Sequence, residues 1–315
     1  MAIESRVLPA SRVTSERGRV TTRRPARRRH APWWFLVPGL ACYAFVVLVP
    51  SMRGVAYAFT DWDGLAAVAH FVGLQNFQEI LRSSDTREAL RHTMLFAVSV
   101  TVVQNLFGLL LALGVNARIR TAGLLRVLLF APVVMTPIVT GYLWRLLLGP
   151  DGPINGLFDS LHLTALSNDW LGDPKLALWS VAAVTVWQFA GMSMVVFLAG
   201  LQAIPPEVIE AAAVDGAGPM QRFWYVVRPM LAPAVTVNIM LTLIGGMKIF
   251  DQVFAMTGGG PGTASETLST LVYKNAFTFG EFAYSAALAV VLTLLVAVLA
   301  AVQFKLLRRQ ERGVS

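Results

Sequence analysis

The chain of 315 residues is 56% hydrophobic and only 14% charged, yet its net charge is +8. A soluble domain carries roughly 25% charged residues, so an ordinary soluble core is excluded, and the wealth of Leu, Val and Ala excludes disorder over most of the length. One cysteine (Cys42) and four scattered histidines exclude a disulfide scaffold and argue against a zinc site.

The positive charge sits at the ends. Residues 1–31 hold nine arginines against two glutamates and have no apolar period. They are expected to form a basic, disordered tail. Three roles compete for it. It lies on anionic lipid and fixes orientation; or it binds nucleic acid, although no base-reading domain follows; or Arg23-Arg24 begins a twin-arginine signal, which Pro25 disfavours. The lipid role is preferred, and no nucleic-acid partner is expected.

From residue 32 to 305 the chain alternates between charges and long windows without them. Six windows of 18 or more residues contain no Asp, Glu, Lys or Arg. A spanning helix needs about 20 apolar residues, so spans are expected near 33–51, 92–116, 127–145, 176–200, 229–247 and 282–304. None shows strand-type alternation, which favours helices over a barrel. Trp33, Trp34, Trp144 and Trp179 fall at span ends, as interfacial anchors do. The first span is long for a signal-peptide core and is expected to be retained. The third is short and carries Pro132 and Pro137. Spanning is expected there, because neighbouring helices can satisfy a carbonyl freed by proline; the alternative is a re-entrant or buried segment.

Lys and Arg then set orientation. Eighteen of the 26 fall in the N-terminal tail, loop 117–126, loop 203–228 and the C-terminal tail 306–315 with Lys305. The positive-inside rule puts those segments, and both termini, in the cytoplasm. The expected fold is an all-α, polytopic membrane protein with six transmembrane helices.

Inside the windows the polar groups are neutral: Gln104, Asn105, Thr185, Gln188, Asn238 and Thr242. Interhelical hydrogen bonding is one reading; a lining for a hydroxyl-rich solute is the other. Ionisable groups at membrane depth usually mark ion-coupled pumps, so their absence weighs against a stand-alone secondary transporter or channel, the competing function. No lysine-bearing phosphate loop, HExxH, GxSxG or CxxC occurs. Enzymatic machinery is therefore not visible, and uphill transport would draw energy from another subunit.

The loop between the fourth and fifth spans is the most informative. Pro206 suits a helix's first turn and Glu207 complements its dipole. Ala211 to Ala213 extend the helix, and Asp215-Gly216 ends it with a left-handed cap. The result is a short helix with a small-residue surface and one projecting carboxylate, Glu210. Such a surface either lies at the membrane interface or docks a partner through an arginine.

The run Glu210-Ala211-Ala212, then Gly216, Phe223 and Pro229, resembles the EAA loop of binding-protein-dependent ABC importer permeases. Ile204-Pro205-Pro206-Glu207 and Asp215-Gly216-Ala217 are similar to the carbohydrate-uptake branch, of maltose and sn-glycerol-3-phosphate type. Phe59-Thr60-Asp61-Trp62 and Phe71 to Phe77 resemble that branch's first outer loop, and Phe250-Asp251 with Thr257-Gly258-Gly259-Gly260-Pro261 its last. The resemblance covers roughly 33–305, with a permease core near 88–304.

It implies a type I permease in a bacterial inner membrane. Glu210, Ala211, Ala212, Asp215 and Gly216 would couple to an ATP-binding subunit. This chain would pair with a different permease, two ATP-binding subunits and an extracytoplasmic solute-binding protein. It would itself hold no cofactor, ATP and Mg being bound by the partner. By similarity to maltose-type permeases the path for a sugar or polyol would be lined by Thr185, Gln188, Phe189, Met192, Thr242, Gly246, Ile249 and Asp251. Gly246 and Ile249 depart from that branch's amide-rich pattern, so maltodextrin is not implied. The glycine run Gly258, Gly259, Gly260 and Pro261 lacks a following lysine and is expected to be a turn facing the binding protein.

Overall fold

The computed structural model describes residue 34, residues 36–117 and residues 121–312, with side chains as far as Lys305. The basic tail 1–31, Trp33, Arg118, Arg120 and the side chains of 306–315 lie outside the described residues. Two compact units divide the chain, residues 1–50 and 51–315.

The first unit holds most of the apolar helix α1 (Leu36–Tyr57). Within α1 the turn at Ala44–Leu48 is π-helical. Pro50 follows it by two residues and supplies no backbone N–H, which a widened turn accommodates.

The second unit continues with α2 (Gln75–Arg82), α3 (Ser84–Asn116), α4 (Ala122–Phe130), α5 (Pro137–Leu147), α6 (Pro153–Ser160) and α7 (Ala177–Gln202). There follow α8 (Pro206–Val214), α9 (Pro219–Met230), α10 (Ala232–Met247), α11 (Asp251–Met256), α12 (Leu268–Phe277) and α13 (Phe282–Arg312). Among the described residues the only strand-like pairing is an isolated bridge, Thr60 with Phe71. That bridge joins the two outer-loop motifs singled out in the sequence. Asn76 fastens them further by donating to the carbonyls of Ala58 (3.0 Å) and Thr60 (2.9 Å). In the same loop Ala66 and Leu65 donate backbone N–H groups to Asp63, holding its carboxyl below the usual range.

Among the described residues four helices, α1, α3, α7 and α13, are long and apolar enough to cross a membrane. The third and fifth expected spans are instead bent pairs. Ala122–Val134 meets α5 at 95°, and α9 meets α10 at 66°. Counting each pair once gives six. Proline explains both breaks. Thr136, ahead of Pro137, is extended (ψ 139°), as a residue before proline prefers. Pro229 and Pro233 flank Leu231, where the second pair turns. The π turn Phe223–Val227 again ends two residues before a proline.

Helix α7 is the centre of this unit. Its apolar window is 61% buried, against 33% for α3 and 17% for α13. In a bilayer lipid tails are as apolar as leucine, so close packing rather than water exclusion holds helices together. One packed cluster joins Phe96 and Val100 of α3 to Val181 and Val184 of α7 and Val253 of α11. Another joins Ala112 and Val115 to Met194, Phe197 and Leu231. The two helices therefore run parallel, low numbers beside low numbers. A third cluster seats Ile80 and Ala89 against Leu268 and Leu288.

Candidate functional site

A cavity of about 370 Å³ opens between α3, α7, α10 and the turn into α11. Thr185, Phe189 and Met192 reach it from one face of α7, four and three residues apart. Thr242 and Gly246 reach it from α10, and Ile249 and Asp251 from the turn. Seven of the eight residues expected along the path thus share one wall.

Gln188 is the exception. It sits three residues after Thr185 and four before Met192 on α7, yet it is fully buried and does not line the cavity. Its amide nitrogen donates to the carbonyl of Met135 (2.9 Å), and its oxygen accepts from Gln252 (3.0 Å). The break before Pro137 frees that carbonyl, and Gln188 bonds to it across the bend.

Much of the neutral polarity binds helix to helix. Gln104 donates to Ser193 (2.9 Å) and to the carbonyl of Phe189 (3.2 Å). Asn105 donates to Thr242 (2.9 Å), and Asn238 donates to Asn105 (2.8 Å). Thr185 spends its hydroxyl hydrogen within its own helix, on Val181 (2.8 Å). Of the two sequence readings, interhelical bonding therefore describes Gln104, Asn105, Asn238 and Thr242. Three of these four, Gln104, Asn238 and Thr242, both line the cavity and bind a neighbouring helix.

Lys248 and Phe250 also line the cavity. Lys248 lies one residue beyond the expected span 229–247, where a charge ends the apolar window, and it adjoins Ile249. With Asp251 it adds an ammonium and a carboxylate to a wall that is otherwise aromatic, aliphatic, hydroxyl and amide. Such a wall offers flat apolar faces beside hydrogen-bonding groups.

Gly246 fixes how closely α10 approaches α3. A Cβ there would lie 2.8 Å from Ala97 Cα. Gly246→Val is expected to cost about 1–3 kcal/mol through overpacking and to narrow the cavity. Thermal unfolding of the purified protein checks this; wild-type stability would refute the close contact.

The glycine run folds as a turn with positive φ at Gly258, Gly259 and Gly262. Thr257 and Ser265 share a hydroxyl hydrogen bond across it (2.8 Å). Behind it Glu266, 3% exposed, is paired with Lys274. A Cβ on Gly259, whose φ is +90°, would run into the Glu266 carboxylate, so glycine closes this turn.

Helix α8 is built as its local sequence requires. Pro206 begins it, with Glu207 in its first turn. Gly216 takes φ +82° at its end. There the N–H groups of Gly216 and Ala217 donate to Ala213 (3.1 Å) and Ala212 (3.0 Å), closing the free carbonyls. Ile209 anchors the helix on the cluster of Ala112, Phe197 and Leu231. Glu210, Ala211, Asp215 and Gly216 are exposed and Ala212 is half-buried. Val214 is 88% exposed, an apolar side chain with almost no cover from this chain. Beyond it Gln221 accepts from the backbone N–H of Gly218 (2.9 Å), and Arg228 stacks on Trp224 (5.0 Å).

Known proteins are similar to this chain in sequence and fold. The chain is 33% identical over 279 residues to AmyD, a probable starch degradation products transport system permease protein of Thermoanaerobacterium thermosulfurigenes, covering 89% of this chain and 94% of that one. It is 31% identical to the multiple sugar-binding transport system permease protein MsmF of Streptococcus mutans, over 92% of this chain and 99% of that one. The fold matches a chain of a bacterial ABC transporter involved in import of the acidic polysaccharide alginate, with TM-score 0.77 at 19% identity, over 88% of this chain and 94% of that one. Residues 104–312 match the family described as binding-protein-dependent transport system inner membrane component, and this multi-pass chain belongs to that family.

Proposed function

We propose that the chain is one of two permeases in an ATP-driven importer of a sugar or polyol. The exposed face of α8 around Glu210 supports this most directly: a capped helix presents Glu210 beside Ala211 and Val214, with Glu207, also exposed, one turn before it, so that Glu210 is not the one carboxylate. Such a face fits the groove of an ATP-binding subunit, where ATP and Mg would be held and hydrolysed. This chain contributes the path rather than the catalysis.

Both termini and α8 face the cytoplasm in this reading, in accord with the Lys and Arg distribution. The turn at Gly258–Gly262 and the loop around Asp61 then face outward, toward a solute-binding protein. The cavity beside Thr185, Phe189 and Thr242 receives the solute. The names of the permease relatives support a carbohydrate. Membership of the binding-protein-dependent family weighs against a stand-alone secondary transporter or channel.

Co-purification from membranes tests the assembly. A second permease and an ATP-binding subunit are expected to come down with the chain, and the binding protein loaded with its sugar should raise ATPase activity several-fold. Phe189→Ala should then weaken apparent sugar affinity. Failure to recover an ATP-binding subunit would overturn the reading.

A further inference from the structure

We propose that the face of α7 turned away from the cavity holds one acyl chain of a membrane phospholipid. The inference is independent of which solute is carried. Helix α7 has two working faces. Thr185, Phe189 and Met192 meet the cavity, whereas Ala183, Trp187 and Ala190 lie about half a turn round the helix, at 100° per residue.

That second face floors a groove of about 520 Å³, closed on its sides by α3 and by Leu129 and Pro132. Its walls are carbon and indole except for Ser99, whose hydroxyl is already donated to the carbonyl of Phe96 (3.0 Å). Water needs two to four polar partners to occupy such a space, and the walls do not offer them. The groove continues into a second hollow of about 300 Å³ that shares Trp179, Ala183 and Trp187. Trp144 closes this end, edge-on to Trp187 with ring centroids 5.2 Å apart. Its indole Nε1 is buried and has no partner among the described residues.

Dimensions select the occupant. From Trp179 to Ala190 the floor runs about 16 Å at 1.5 Å per residue, close to one leaflet of a hydrocarbon core about 30 Å thick. An extended chain of methylene groups fits. The unpartnered indole then donates to the ester oxygens at the head of the chain, as tryptophan does where apolar and wet regions meet. The acyl chain would lie against Leu129 and Pro132, just before the 95° bend, and so brace the bent pair from the side opposite the cavity.

Retention of lipid tests this. The full chain with its co-purifying subunits is taken from membranes, exchanged stepwise into lipid-free detergent, and scored by native mass spectrometry for bound palmitoyl-oleoyl phosphatidylethanolamine and phosphatidylglycerol. The wild type is expected to keep one phospholipid per chain. Ala183→Phe, which fills the groove, should keep at least ten-fold less. Trp144→Phe keeps the ring, removes the N–H, and should lower retention several-fold with an unchanged size-exclusion profile. Equal retention in the wild type and both variants overturns the proposal. So does detergent in place of phospholipid in the wild type, or a cross-link from Ala183→Cys to another protein segment, which would seat a helix there instead.

Discussion

Glu210→Ala is expected to cut uptake by at least ten-fold while leaving the permease folded. The carboxylate is exposed and the pattern of α8 does not depend on it. Alanine is the stronger helix former, and the determinants of the helix lie elsewhere, at Pro206, Ile209 and Gly216. Removing one partner of a hydrogen-bonded charge pair at an interface costs about 2–5 kcal/mol, and each 1.4 kcal/mol is ten-fold in affinity. Docking of the ATP-binding subunit should therefore weaken by about one and a half to three and a half orders of magnitude. Thermal stability of the chain alone should shift little. Glu210→Gln separates charge from shape: if an arginine on the partner reads the carboxylate, Gln should behave nearly as badly as Ala. Binding-protein-stimulated ATPase and uptake at wild-type levels in either variant would remove Glu210 from the coupling surface.

Helix α8 was legible in the sequence because its causes are local. A proline at its first turn, an alanine run and a glycine with positive φ act within ten residues of one another. The charge-free windows were legible for a similar reason: a bilayer penalises every charge, so composition alone marks α3, α7 and α13. The prolines of the third window marked trouble, yet its 95° bend could not be read from them, since proline permits a break without fixing its angle. The first outer-loop motifs looked like two separate strings; the bridge from Thr60 to Phe71 and the amide of Asn76 make them one folded unit. The groove behind α7 left no sequence signal apart from tryptophans and alanines, which are ordinary in any span.

Gln188 was the hardest residue to read. Its type fits a sugar site, and its neighbours Thr185, Phe189 and Met192 do reach the cavity. Its partner, however, is a backbone carbonyl 53 residues away, freed only because the chain breaks before Pro137. Nothing in the local pattern around Trp187-Gln188-Phe189 records that break. A buried amide goes where an unsatisfied carbonyl needs it.

The expected result is that Gln188→Leu damages stability rather than solute affinity. Leucine matches the volume but leaves two groups orphaned in a fully buried place, the Met135 carbonyl and the Gln252 amide. Each unsatisfied group costs about 1–3 kcal/mol, so the variant should lose about 2–6 kcal/mol, with a fall in Tm on the order of 10 °C. Gln252→Leu alone should cost less, because the Gln188 amide still reaches Met135. The pair Gln188→Leu with Gln252→Leu removes donor and acceptor together and should be less destabilised than the sum of the two single variants. A coupling energy of about 1–3 kcal/mol is expected for residues in one hydrogen-bonded network. In transport the maximal rate should fall with the amount of folded protein while KM for the sugar stays at the wild-type value. A raised KM at wild-type Tm would reverse the assignment and return Gln188 to the solute path.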